Sequence, residues 1–148
     1  MVRDEDRSSI LSHRRQSVWG MILLVVALGC GQGRPNYVLV SGEVTFDGQP
    51  VEVGQIRFTP AAGTSGPITI SAIRQGQYTT EKTSGVPIGN HRVGIRAFDP
   101  DEYNNRPKGP GSPPLRQLLP EKYNGRSDLT VAIETGQRRA TENFHLEP

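Results

Sequence analysis

The segment Val38-Leu39-Val40-Ser41-Gly42-Glu43-Val44-Thr45-Phe46 decides the fold. Its apolar residues recur with a period of two, which places them on one face of an extended strand: Val38, Val40, Val44 and Phe46. The next four residues, Asp47-Gly48-Gln49-Pro50, are typical of a tight turn in which Gly48 adopts a positive φ. The segment therefore predicts a strand with one face on a core, followed by a hairpin turn.

Six further segments along the chain have the length and the bounding turn residues of strands: Val51–Thr59, Ile68–Arg74, Gln77–Thr80, His91–Phe98, Leu129–Glu134 and Thr141–Leu146. Within Ile68–Arg74, we expect Ile68, Ile70 and Ala72 to face the core. The residues expected to form that core are Val44, Phe58, Ile70, Val93, Ile95 and Val131. No segment has a convincing amphipathic helical pattern. The sequence therefore predicts an all-β fold, a single antiparallel β-sandwich of about seven strands.

Residues 99–128 interrupt this regular spacing with a long stretch rich in Pro, Gly, Asn and charge. We expect one helical turn at 115–119, with leucine and tyrosine side chains folding back onto the sheet. The acidic residues Asp99, Asp101 and Glu102 are interpreted as a solvated loop, with a calcium site as the alternative. The stretch also holds Tyr103, which is a candidate for stacking on a sugar.

The stretch Val18–Cys30 predicts where the protein goes. A short apolar run follows two arginines and ends at Gly29, which is the pattern of a secretory signal peptide. Because Cys30 comes next, the stretch resembles the lipobox of bacterial lipoproteins, although Ala27 and Leu28 depart from the usual pattern. We expect residues 1–29 to be the signal segment, 30–36 a tether and 37–148 the folded domain. Cys30 is the predicted lipid attachment site, and ordinary cleavage that leaves a free thiol is the alternative.

Composition limits the classes of partner. The chain has 17 Lys and Arg against 15 Asp and Glu, a formal net charge of +2, and clusters of basic residues typical of nucleic-acid binding are lacking. Its single cysteine excludes an internal disulfide. The predicted partners are membrane lipid through Cys30 and an envelope protein or glycan, with no nucleic acid. The predicted location is the cell envelope, periplasmic or on the outer surface.

Several segments together resemble a known family. Ser41–Val51 resembles the G-x-V-x-x-x-G-x-P-V opening of carboxypeptidase regulatory-like domains, and three later segments resemble its continuation: Gly54–Pro60, Gly76–Tyr78 and Pro87–Ile95. Leu119–Asn124 with Leu129–Val131 resembles the tail of small lipoproteins of planctomycete-type bacteria. The resemblance implies a transthyretin-like (prealbumin-like) sandwich with no catalytic residues. Such domains serve as stabilising or adhesive modules.

The predicted domain lacks the sequence motifs of the two enzyme types considered for it, zinc carboxypeptidases and hydroxyisourate hydrolases. A zinc carboxypeptidase site would need a His-x-x-Glu motif, and His91 is followed by Arg92, Val93 and Gly94. His91 is interpreted as a surface or edge residue. Hydroxyisourate hydrolases share the transthyretin fold, but the chain lacks their Tyr-Arg-Gly-Ser ending. We therefore expect a non-catalytic, lipid-anchored module without a cofactor or metal; a carbohydrate-binding module is the alternative, and a hydrolase of this type is less favoured.

Overall fold

Alternating apolar residues and turn glycines favour β-strands along this chain, and the computed structural model consists mostly of strands. The structure describes residues 36–148 except Lys82, Ser84 and Lys108. The predicted signal segment 1–29 and Cys30 lie outside the described residues. The ten strands are β1 Tyr37–Phe46, β2 Gln49–Pro50, β3 Val53–Pro60, β4 Thr69–Arg74, β5 Gln77–Thr79, β6 Val86–Pro87, β7 Gly89–Ala97, β8 Thr130–Ile133, β9 Arg139–Thr141 and β10 Phe144–Leu146. The prediction of an all-β fold is confirmed.

The strands form one curled, half-barrel sheet whose main path runs β10-β1-β5-β4-β3-β7-β8. The short strands β2, β6 and β9 pair with β1 beside this path. Most pairings are antiparallel, as predicted, but β9 and β10 lie parallel to β1. Two of the hairpin turns use consecutive residues with positive φ, Asp47-Gly48 and Gln75-Gly76, which gives a backbone twist matching that of the flanking strands.

The core lies on the inner face of the curl. Four of the six predicted core residues are completely buried: Val44, Phe58, Val93 and Ile95. The ring of Tyr78 lies between those of Phe58 and Phe144, with centroids 6.1 and 6.4 Å away. These aromatic contacts connect the middle of the sheet to the strand at its end, so the curl is filled rather than hollow.

The face of β4 was predicted wrongly. Ile70 is 49% exposed and Ile68 44%, whereas Thr69 and Ile73 are buried. The cause is the register with β3, in which Phe58 lies opposite Thr69. Thr69 satisfies its buried hydroxyl by donating to the carbonyl oxygen of Gly85, 3.0 Å away.

Two other local predictions are corrected. Val131 is half-buried rather than fully buried, because it lies on the edge strand β8. His91, interpreted from the sequence as a surface or edge residue, is completely buried.

The long segment 99–128 contains two short helices, α1 Pro100–Asn105 and the 3-10 helix η1 Glu121–Tyr123. The helical turn predicted at 115–119 is wrong, since Gln117 forms a bridge with Phe98 instead. Leu119 is buried in the core and Tyr123 packs against it, as expected, but Leu118 is 44% exposed. The Tyr123 hydroxyl donates to the carbonyl oxygen of Glu147 and accepts from its amide, both at 2.9 Å.

Candidate functional site

A cleft of about 570 Å³ lies between the end of β4 and the segment that follows α1. Its lining is mostly polar, and its charged side chains are all positive. The lining residues are Arg74, Tyr103, Asn104, Arg106 and Ser112, with Pro107 and Gly109. Two guanidinium groups and an amide face one volume with no carboxylate in its lining. This arrangement can bind an anion through charge-assisted hydrogen bonds, and we call it the cationic cleft.

Tyr103 holds Arg74 at the wall of the cationic cleft. The guanidinium carbon of Arg74 lies 4.8 Å from the centre of the Tyr103 ring, and its Nη2 donates to the Tyr103 hydroxyl at 3.1 Å. The same ring stacks on Phe98, with centroids 6.2 Å apart and planes 17° apart. The ring that was predicted to stack on a sugar therefore already contacts two neighbours, and its role is to position a cation.

The acidic residues of this segment have structural partners. The Asp99 carboxylate caps α1 by accepting from the amides of Asp101 and Glu102, both at 3.0 Å. The Glu102 carboxylate accepts from the Arg116 amide at 3.2 Å. Within the described part of the chain, no group of three or more His, Cys, Asp or Glu residues is arranged to hold a metal ion.

The cationic cleft lies at the end of the sheet remote from the point where the chain enters it. Arg74 pairs with Gln77, and the turn between them reaches the end of β1, where the Val44 amide donates to Gly76 at 2.7 Å. Tyr37 starts the same strand nine residues before Phe46, and steps of about 3.3 Å per residue make β1 about 30 Å long. The cleft therefore lies toward the end of the sheet opposite Tyr37.

An apolar groove of about 210 Å³ adjoins the same end of the sheet. Its walls include Phe46, Val51, Phe98, Leu118 and Leu119. Phe98 belongs to this groove and also stacks on Tyr103, so the groove and the cationic cleft share one aromatic support. A ligand in the cleft would have an apolar surface within reach.

The other three tyrosines of the chain are not in the cleft lining. Tyr78 is buried in the core, where its hydroxyl donates to the Glu142 carbonyl oxygen at 2.8 Å. Tyr123 bonds to Glu147, and Tyr37 lies 48% exposed at the start of β1. The sequence analysis did not identify Arg74 and Arg106 as site residues. They lie 32 positions apart, one at the end of a strand and one in the irregular segment, so no sequence motif links them.

His91 is a buried polar residue on the inner face of β7. Its Nδ1 lies 3.1 Å from the carbonyl oxygen of Gly89, and its Nε2 is buried with no hydrogen-bond partner among the described residues. Burial lowers the pKa of His91 below its ordinary value, since a charged imidazole would lose its hydration there. The neutral form is therefore the one that the fold accommodates.

Compared with known proteins, the chain matches no family model, no curated protein and no solved structure. Among the residues that the structure describes, no helix is long and apolar enough to cross a membrane.

Proposed function

We propose that this chain is an exported, lipid-anchored β-module that binds a component of the cell envelope without catalysing a reaction. The observation that supports the proposal is the separation between Tyr37, where the described chain enters the sheet, and the cationic cleft. Tyr37 comes seven residues after Cys30 in the sequence, while the cleft lies toward the opposite end of β1, a strand about 30 Å long. A lipid on Cys30 would hold one end near a membrane and present the other end to the surroundings.

The fold proposed for the module is a carboxypeptidase regulatory-like, transthyretin-like sandwich. The strands β1 and β3 and the turn between them coincide with the two motifs that carry the resemblance, Ser41–Val51 and Gly54–Pro60. The turn before Gln77–Tyr78 has positive φ at both central residues, in keeping with a tight hairpin. These local agreements and the all-β curl support the family assignment.

The intact mass of the protein recovered from bacterial membranes tests the anchor. We expect a mass equal to Cys30–Pro148 plus acyl chains, which the Cys30→Ala variant lacks. The variant should also leave the detergent phase for the aqueous phase, because acyl chains supply the membrane affinity. An unmodified mass that begins near Gly31, or an uncut chain in the membrane fraction, would contradict the lipid anchor.

The cationic cleft favours a second, more specific function: we infer that the module binds an acidic carbohydrate. Arg74 is held in place by Tyr103, so its guanidinium is ordered before a ligand arrives. Arg106 supplies a second cation, and Asn104 supplies an amide that can bond to hydroxyl groups. A sugar that carries a carboxylate offers partners to all three.

Binding of galacturonate and of neutral galactose to the full-length protein in non-ionic detergent tests this function. We expect galacturonate alone to bind, and Arg74→Gln or Arg106→Gln to weaken it about tenfold, because each removes a charge-assisted hydrogen bond. Arg116→Gln removes the same charge outside the cleft lining and should change the Kd little. Equal binding of the two sugars, or equal loss in the control variant, would contradict an acidic-sugar site.

A further inference from the structure

The outer face of the sheet carries a diagonal row of arginines. Arg57 on β3 lies opposite Gly94 on β7, so Arg92 and Arg96 are its diagonal neighbours on the same face. Diagonal neighbours of this kind lie about 7–8 Å apart, within reach of long side chains. All three arginine side chains are exposed. We call these residues the arginine row: Arg57, Arg92 and Arg96.

The arginine row continues toward the cationic cleft. Arg74 lies opposite Val53 and Arg96 lies opposite Gln55, which places both arginines on the outer face. One intervening strand and a step of two residues separate them, a distance of about 12 Å between their positions. Four cations thus extend along one surface, and the last of them forms the wall of the cleft.

The positive charge of this surface is not balanced locally. The adjacent strands β4, β3, β7 and β8 contain these four arginines and no Asp or Glu. No hydrogen bond or ion pair joins the guanidinium groups of the arginine row to another residue in the described part of the chain. Unpaired cations on neighbouring strand positions repel one another, and a ligand with repeated negative charge relieves that repulsion.

The shape of this surface, which has two raised segments beside the arginines, bears on the kind of ligand that can reach them. Tyr103 rises over Arg74 at one end, and the Asn124 carbonyl oxygen lies 3.4 Å from where a side chain on Gly94 would begin. Gly94 lies between Arg92 and Arg96 on β7, so the segment at Asn124 stands over the row. A planar membrane would meet these two raised segments before it reached the arginines, which favours a narrow ligand over a flat one.

We propose that the arginine row and the cationic cleft together bind one acidic polysaccharide chain, with the row engaging successive charged sugars and the cleft receiving one of them. This proposal rests on the acidic-carbohydrate function proposed above and extends it from one sugar to a polymer. Carboxylate, sulfate and phosphate groups all accept paired hydrogen bonds from arginine. The recognised chemistry is therefore a regularly charged glycan.

The test measures binding of polygalacturonate to the full-length protein in non-ionic detergent, with the fully methyl-esterified polymer as the uncharged counterpart. The variant Arg57→Gln/Arg92→Gln removes two cations outside the cleft lining. The variant Arg138→Gln/Arg139→Gln removes two exposed cations near β9 and keeps the same net charge as the first. We expect the first to raise the Kd for the polymer about tenfold and the second less than about twofold.

Further readouts separate the row from the cleft. Arg57→Gln/Arg92→Gln should leave galacturonate binding unchanged, whereas Arg74→Gln should weaken both the monomer and the polymer. Equal weakening by both double variants would overturn the proposal, because net charge alone would then explain binding. If galacturonate binds but Arg57→Gln/Arg92→Gln leaves the affinity for the polymer unchanged, the arginine row takes no part in binding. The proposal for the row would then be overturned, while the cleft would remain a binding site. Tighter binding to phosphatidylglycerol vesicles or to DNA than to polygalacturonate would also overturn it.

Discussion

The backbone of Glu142 passes directly against the α-carbon of Gly42, close enough to leave no room for a side chain. A Cβ on Gly42 would lie 2.7 Å from the carbonyl carbon of Glu142 and 3.0 Å from the Asn143 Oδ1 atom. The Asn143 Oδ1 atom accepts from the Glu43 amide at 2.9 Å, and the Glu142 carbonyl oxygen accepts from Tyr78 at 2.8 Å. The missing side chain lets the connection between β9 and β10 pack closely against β1.

Replacement of Gly42 by alanine is therefore expected to destabilise the fold. The added methyl group must displace backbone on β1 or at Glu142, which costs about 1–3 kcal/mol in a well-packed site. Gly125→Ala is the matched control, because a Cβ there meets nothing within 4 Å. Urea unfolding measures both variants. Equal stability of the two would show that the contact between Gly42 and Glu142 is not maintained.

Phe58 and Ile70 offer a test of the strand register. Phe58 is fully buried, and replacing it by alanine should cost about 3–5 kcal/mol because a large cavity forms. Ile70 is 49% exposed on the outer face, so Ile70→Ala should change the free energy of unfolding by less than about 0.5 kcal/mol. A large loss with Ile70→Ala would place β4 in the opposite orientation, and a small loss with Phe58→Ala would do the same for β3.

Buried His91 predicts a pH-dependent stability. Its pKa is lowered in the folded state, so near and below pH 6.5 the unfolded chain binds more protons than the folded one. The stability is complete above the unfolded pKa and falls as the pH drops, by up to about 1.4 kcal/mol per pH unit, until the folded pKa is reached. His91→Gln should flatten the slope between about pH 7 and 5, as measured by urea unfolding. An unchanged slope would show that groups other than His91 cause the pH dependence of the stability.

Burial also raises the pKa of the Glu142 carboxyl, which acts in the opposite direction. A folded pKa above the unfolded value means that stability falls as the pH rises through that region. Comparing wild type with His91→Gln at each pH cancels this contribution, because Glu142 is present in both proteins.

Tyr123 ties η1 to the end of the chain, and Tyr123→Phe should loosen that connection. The variant removes the donor and the acceptor that bond to Glu147, leaving an expected loss of about 1 kcal/mol. Hydrogen exchange of the Glu147 amide should accelerate, because its acceptor is gone. Tyr37→Phe is the control, since Tyr37 is 48% exposed at the start of β1. Unchanged exchange at Glu147 would contradict the connection.

Strand positions were predictable where one face alone carries apolar residues. The alternation of Val93, Ile95 and Ala97 with Arg92 and Arg96 admits one orientation for β7, and the structure has it. In β4, isoleucines occupy both faces, at Ile70 and Ile73. Local alternation then fails, because the orientation is set by pairing with β3 and a shift of one residue inverts it.

The cationic cleft was beyond reach from sequence for a different reason. Arg74 ends a strand, while Tyr103 and Arg106 belong to a segment without periodicity. Their meeting depends on how α1 folds back over the outer face, which is a tertiary contact between Tyr103, Phe98 and Arg74. The sequence did single out Tyr103, but as a stacking surface rather than as the residue that positions Arg74.

The parallel pairing of β1 with β10 sets the order in which the chain can fold. Val44–Phe46 pairs with Phe144–Leu146, partners that lie 100 positions apart in the chain. Contacts this distant slow folding, because a long loop must close before any of them forms. A chain synthesised from its N-terminus therefore keeps one side of β1 unpaired until residues 139–146 have emerged. Until then β1 exposes an open strand edge, so late completion of the sheet is a property of this topology.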